Sequence, residues 1–128
     1  HFRKYPDVDV FYSSFYVTDM YGMPLKEIKA RSFNYRNVKE TGVTYVGHST
    51  MAYRKSSVLK VPYIDGDYSK LGLDDWRLQM DLFRLKYKFR YVTKPLVMYR
   101  QLTDSISAVR NATEVYLTKG KYFEKYKI

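Results

Sequence analysis

DDWRLQMDLFRLKY, residues 74–87, is apolar on two sides at once. Trp76, Met80, Phe83 and Tyr87 recur at intervals of 4, 3 and 4, and Leu78, Leu82 and Leu85 at 4 and 3 on nearly the opposite side. That is the periodicity of an α-helix with two apolar stripes. A helix of this kind has to be covered on both sides. The pattern therefore predicts an element sandwiched between a sheet and a further layer, with Trp76, Leu78, Met80, Leu82, Phe83 and Leu85 buried. Asp74 and Asp75 then stand at its exposed N-terminal end, facing a cleft.

Working outward from this helix, the chain reads as a mixture of strands and helices. Val8 to Val17 is apolar, aromatic and β-branched without Gly or Pro, the mark of a buried strand. Asp19 to Pro24 carries turn chemistry, and Leu25 to Tyr35 alternates weakly, as a second strand does. Val43 to Tyr53 reads as a loop or short helix leading into a strand that ends near Tyr53, followed by a single helical turn over Lys55 to Leu59. Pro62 to Gly72 has the composition of a loop. Downstream, Pro95 divides two short strands, Lys88 to Thr93 and Leu96 to Arg100, and a polar loop over Gln101 to Ser107 leads to a last helix from Val109 to Tyr126, weakened by Gly120. The expected class is α/β, a mixed sheet with packed helices in one domain over residues 1–128.

Composition agrees. With 128 residues, 45% hydrophobic and 18% aromatic, the chain has ample area for a core, which excludes a disordered chain. The absence of cysteine excludes disulfides, thiolate metal sites and a cysteine nucleophile, and it fits a reducing compartment. No apolar run approaches the roughly 18 residues of a membrane helix, so a cytoplasmic location is expected. The formal net charge of +10, from 23 Lys and Arg against 13 Asp and Glu, favours an anionic partner. Yet Asp65, Asp67, Asp74, Asp75 and Asp81 place five acids mid-chain. An acidic centre within a basic shell reads as a site rather than a grip on phosphates.

Asp74 and Asp75 have two compatible readings. At a helix start, aspartates satisfy free N–H groups and suit the positive end of the dipole. A carboxylate there can also act as a general base on a substrate hydroxyl. His48, in a turn, is either a polar surface residue or a pocket residue. Asn111-Ala112-Thr113 has the letters of a glycosylation acceptor, with nothing in the chain to indicate secretion.

Taken in order, Gly47-His48-Ser49-Thr50-Met51-Ala52-Tyr53-Arg54, Asp74-Asp75-Trp76-Arg77-Leu78, Pro95-Leu96-Val97-Met98-Tyr99-Arg100 and Asp104-Ser105-Ile106-Ser107 resemble the C-terminal, acceptor-side half of a family 2 glycosyltransferase. Such enzymes show a G-x-S followed by an Arg, an acidic pair opening a helix, a strand ending P-L-x-x-Y-R and a closing S-I-S. Tyr21-Gly22 after an Asp is similar to the family's D-x-x-G turn. The resemblance runs from Pro6 to Ser107. It implies part of a glycosyltransferase A-type, Rossmann-like fold, as a fragment lacking the N-terminal nucleotide-binding half. It also implies an inverting transfer from a nucleotide-sugar donor to a hydroxyl of a saccharide or lipid-linked acceptor. Asp75 would be the general base and Asp74 would assist it. Gly47, His48, Ser49, Trp76 and Ser105 would line the donor or acceptor pocket, and Arg100 would neutralise diphosphate charge.

The family implies a divalent metal, Mn²⁺ or Mg²⁺, held by a D-x-D. Asp65-Gly66-Asp67 follows the G-x-S, where the family has a variable loop, and Asp7-Val8-Asp9 precedes a strand instead of ending one, so neither fits. Leu102 stands where the family commonly has a His. The rival readings are a basic nucleic-acid-binding domain, which leaves the acidic centre unexplained, and a module without catalysis on an anionic membrane surface. For the latter, Lys119 to Lys127 offers a contact at the inner face of the membrane.

Overall fold

In a computed structural model, which describes residues 1–61, 67–101 and 111–126, strand β1 (Val10–Thr18) runs through the middle of the sheet. Its β-branched and aromatic side chains suit a pleated surface covered on both faces. β4 (Phe89–Arg100) lies parallel to it along one whole edge, from Val10 opposite Phe89 to Thr18 opposite Arg100. The other edge is shared. β3 (Ala52–Tyr53) pairs antiparallel with Val10 and Phe11, and β2 (Pro24–Ile28) pairs antiparallel with Phe15 to Thr18. Between these two partners, side chains serve β1 in place of a strand. Ser13 N–H donates to Thr50 Oγ1 at 3.1 Å, and Ser14 Oγ accepts from Ala30 N–H at 2.8 Å.

The result is a mixed α/β fold with an open mixed sheet. Helices α1 (Tyr35–Thr41), α2 (Lys55–Val58), α3 (Asp67–Lys70), α4 (Asp74–Arg84) and α5 (Ala112–Lys125) pack around it, with a 3-10 turn over His48–Thr50. α4 has the two-sided cover that its sequence requires. Leu78 and Leu82 pack against Val10 of β1 and Val61, while Trp76 and Met80 pack against Val38 of α1 and Tyr122 of α5. On the opposite face of β1, the N-terminal residues cover Phe11, with the Phe2 and Phe11 rings edge to face at 4.7 Å. Arg54 pins this segment by donating from Nε to Val8 O at 2.8 Å and from Nη2 to Phe2 O at 3.1 Å. Among the described residues no helix is long and apolar enough to cross a membrane.

Five expectations about the elements need correction. The helix stops at Arg84 instead of reaching Tyr87, and Leu85 is 47% exposed. The cause is a Schellman closure: Lys86 takes φ 66°, its N–H bonds Phe83 O, and Tyr87 N–H bonds Leu82 O. The expected strand over Leu25 to Tyr35 ends at Ile28, and α1 begins at Tyr35. The Asn34 side chain accepts from Asn37 N–H at the start of α1, and Gly42, at φ 73°, closes it. α3 lies within the expected loop. Finally, Pro95 does not split β4 but sits opposite Ser14, with the register against β1 shifting on either side, the kind of irregularity that accommodates proline in a strand. The last helix starts at Ala112, capped by Asn111, whose side chain accepts from Glu114 N–H.

Asp81, one of the five acids of the supposed acidic site, is a core residue. Its carboxylate takes Arg77 Nε at 2.9 Å and the Tyr122 hydroxyl at 2.8 Å, and all three side chains are buried. Arg77 donates onward to the Tyr126 hydroxyl at 3.1 Å. A charge this deep is tolerated only with such partners, and here they tie α4 to α5.

Two predictions follow from this packing. Lys86→Gly, which removes a side chain from a left-handed position, should stabilise the fold by about 0.5–1 kcal/mol, read as a higher midpoint in urea unfolding. Burial, with Tyr91 nearby, pushes the Tyr12 hydroxyl up to about 12, and burial and the bond to Asp81 hold Tyr122 well above the ordinary value. The folded chain therefore keeps these protons more tightly than the unfolded chain does. Their contribution is complete below the ordinary tyrosine pKa of 10.0 and is lost as pH climbs from there toward about 12. Unfolding midpoints measured at rising alkaline pH should decline over that window, and less steeply in Tyr12→Phe.

Candidate active site

The N-terminus of α4 opens onto a pocket of about 240 Å³. Its walls are the strap from Gly42 to Val46, the Gly72-Leu73 turn, Asp75 and Gln79 of α4, and Lys119 of α5. Leu73 is the N-cap and makes no side-chain cap bond, so the acids are first-turn residues and not caps. Asp75 Oδ1 accepts from Trp76 N–H at 2.8 Å, which satisfies one of the helix's free donors. The helix dipole favours the negative charge at this end.

Gln79 lies one turn beyond Asp75 on the same flank of α4, and it holds the strap in place. Its Oε1 accepts from the Thr44 hydroxyl at 2.6 Å, and its Nε2 donates to Val46 O at 3.1 Å and toward Met51 Sδ at 3.4 Å. Between these two anchors Tyr45 adopts φ 60°, a left-handed conformation that a tyrosine keeps only when its neighbours are fixed. The far end of the strap is fixed by Gly42, whose carbonyl accepts both the Trp76 indole N–H at 3.1 Å and Lys119 Nζ at 2.7 Å. One carboxylate and one ammonium thus line a small pocket of mixed polar and apolar walls, whose strap is anchored at both ends.

The sequence-predicted residues are distributed as follows. Asp75 lines the pocket, with Asp74 beside it in the first turn. Trp76 contributes a wall, but its ring is a core ring, 6% exposed and edge-on to Tyr122 at 5.4 Å. Gly47 follows the strap, and a Cβ there would lie 2.8 Å from Phe15 Cε1, so the close approach of the turn to β1 requires glycine. His48 and Ser49 are exposed on the 3-10 turn, outside the pocket lining. Arg100 is exposed at the C-terminal end of β4, opposite Thr18, also outside that lining. Ser105 lies outside the described residues, as do Leu102, Asp65 and Gly66.

No protein-family model, curated protein or solved structure matches this chain. The site is therefore read from its own chemistry. Among the described residues no three His, Asp or Glu side chains converge as a metal would need. The Asp9 carboxylate accepts from Ser57 Oγ at 2.7 Å and Lys88 N–H at 2.9 Å. The Asp7 carboxyl is paired with Lys88 Nζ at 3.3 Å, a bond that lowers its pKa. Asp75 is the carboxylate that lines the pocket. Gln79, Thr44 and Lys119 escaped the sequence reading. Gln79 had a signal, a polar side chain between Leu78 and Met80 of the two apolar stripes.

Gln79→Leu keeps the volume but strands the Thr44 hydroxyl and the Val46 carbonyl in a dry interior. It should cost about 1–3 kcal/mol, measured by urea unfolding.

Proposed function

We propose that the chain is the acceptor-side part of an inverting glycosyltransferase of the family 2 type, with a glycosyltransferase A-type arrangement. The observation that carries this reading is Asp75, in a pocket between the N-terminus of the central helix and the strap that leads into Gly47-His48-Ser49. At about 240 Å³ the pocket is below the roughly 300–1,000 Å³ of drug-sized sites. That suits one sugar ring.

In this mechanism an acceptor hydroxyl enters the pocket and attacks the anomeric carbon of the donor sugar. The new glycosidic C–O bond forms as the bond to the nucleoside diphosphate breaks on the opposite face, so the configuration inverts. Asp75 accepts the hydroxyl proton as the oxygen becomes nucleophilic. Lys119 lines the same pocket, its ammonium held on the Gly42 carbonyl. Asp74 supports Asp75 and Trp76 forms part of the pocket wall, while Gly47, His48, Ser49 and Ser105, which are not in that lining, would meet donor or acceptor beyond it. Arg100 meets the diphosphate. The nucleotide-binding half and the divalent Mn²⁺ or Mg²⁺ site would come from residues other than those described. The acceptor would be a glycan or a lipid-linked saccharide, modified at the cytoplasmic face of a membrane.

Asp75→Asn in the complete catalytic unit keeps the first-turn hydrogen bond but removes the basic charge. Transfer should fall by roughly 10² to 10⁴ with the melting temperature nearly unchanged, and Asp74→Asn should cost less. A purely helix-stabilising role predicts near-normal turnover in both variants, and that result would end the general-base assignment.

A further inference from the structure

The tightest concentration of exposed apolar side chains lies outside the pocket lining, on the hairpin joining β1 to β2. Met20, Met23 and Leu25 are 61–64% exposed and Tyr21 is 84% exposed. A soluble surface rarely presents four large apolar side chains within six residues without a use for them.

The backbone under these side chains is closed on itself. Asp19 Oδ1 accepts from Tyr21 N–H and Met23 N–H, both at 2.9 Å. Asp19 N–H bonds Met23 O at 3.0 Å, and Gly22 N–H bonds Asp19 O at 3.1 Å, with Gly22 at φ 83°. Pro24 has no N–H to satisfy. From Asp19 to Pro24 the backbone donors of Asp19, Tyr21, Gly22 and Met23 therefore all bond within the turn, and the only carboxylate there is spent on two of them. A turn wired this way leaves water cheaply, because few backbone donors lose hydration when it does. Met, Tyr and Leu are side chains that settle at the boundary between headgroups and acyl chains. Behind the tip stand the exposed Lys26 and Lys29, with Glu27 as the one intervening acid, on a chain whose net charge is +10. A protein partner fits less well, since a stable protein interface buries about 800 Å² per side, more than a tip of six residues provides.

We propose that the Asp19–Leu25 tip is a membrane-docking element. Met20, Tyr21, Met23 and Leu25 enter the interface of an anionic phospholipid bilayer, and Lys26 and Lys29 meet lipid phosphates behind them. The proposal stands apart from the glycosyl-transfer reading, because binding to lipid is measured without donor or acceptor.

The test is co-sedimentation of the full chain with vesicles of phosphatidylcholine alone and of phosphatidylcholine mixed with phosphatidylserine. The wild type should pellet with the mixed vesicles and much less with the neutral ones. Tyr21→Ser combined with Met23→Ser should weaken binding by roughly tenfold or more, with an unchanged circular dichroism spectrum. Lys26→Gln combined with Lys29→Gln should weaken it most at low salt. A Tyr21→Trp chain should show blue-shifted emission on vesicle addition over the constant background of buried Trp76. Equal binding by the Tyr21/Met23 variant, no binding to either vesicle, or loss of binding only in Lys121→Gln combined with Lys125→Gln would overturn the proposal. The last result would place the contact on α5.

Discussion

Leu78 and Leu82 on one flank of α4, and Trp76 and Met80 on the other, leave this helix no side that can face water. The rest of the architecture answers that constraint. β1 must lie beneath one flank, and α1 and α5 must close over the other. Because the helix is walled in along its length, only its ends communicate with solvent. The polar residues that α4 carries between its stripes must then find partners indoors. Arg77 and Asp81 find each other and Tyr122, and Gln79 finds the strap. Removing either member of the Arg77–Asp81 pair would leave an uncompensated buried charge, which is why the pair acts as a lock between α4 and α5.

The same constraint places the pocket. Asp75 stands where the enclosed helix emerges, and the strap that roofs this end is held by Gln79 a single turn deeper. The distance between core and site is therefore one helical turn. Gly42 joins three parts: its N–H closes α1 on Val38 O, and its carbonyl receives the indole of α4 and the ammonium of α5. The pocket wall and one anchor of α5 thus share these bonds, and a change that loosens α5 also changes the shape of the pocket.

The central helix, β1 and the return through Tyr53 and Lys55 were legible from periodicity and β-branching alone, because those patterns express burial directly. α1 was not. Its sequence alternates weakly, and its boundaries rest on Asn34 and Gly42, a capping pair that declares itself only once the intervening residues are taken as helical. The end of α4 was also hidden, since Lys86 in a left-handed conformation carries no glycine to announce the stop. Asp81 misled because charge was counted without its i–4 partner Arg77. At the site, Asp75 was legible from its place at a helix start. Lys119 was not, because its approach to Gly42 depends on how α5 docks, a long-range contact that no local spacing encodes.

β4 carries a consequence for how copies of the chain behave together. It is the longest strand, twelve residues, and its only strand partner among the described residues is β1. An outer edge of that length, if straight, would be a template for strand-to-strand association between molecules. Pro95, which has no N–H to offer, stands mid-strand where the register against β1 shifts, and the exposed Lys94 adds a charge beside it. Proline and lysine on an edge both count against strand-to-strand association. What looks like a defect in strand pairing thus also interrupts the edge, which no longer offers twelve uniform residues to a neighbour.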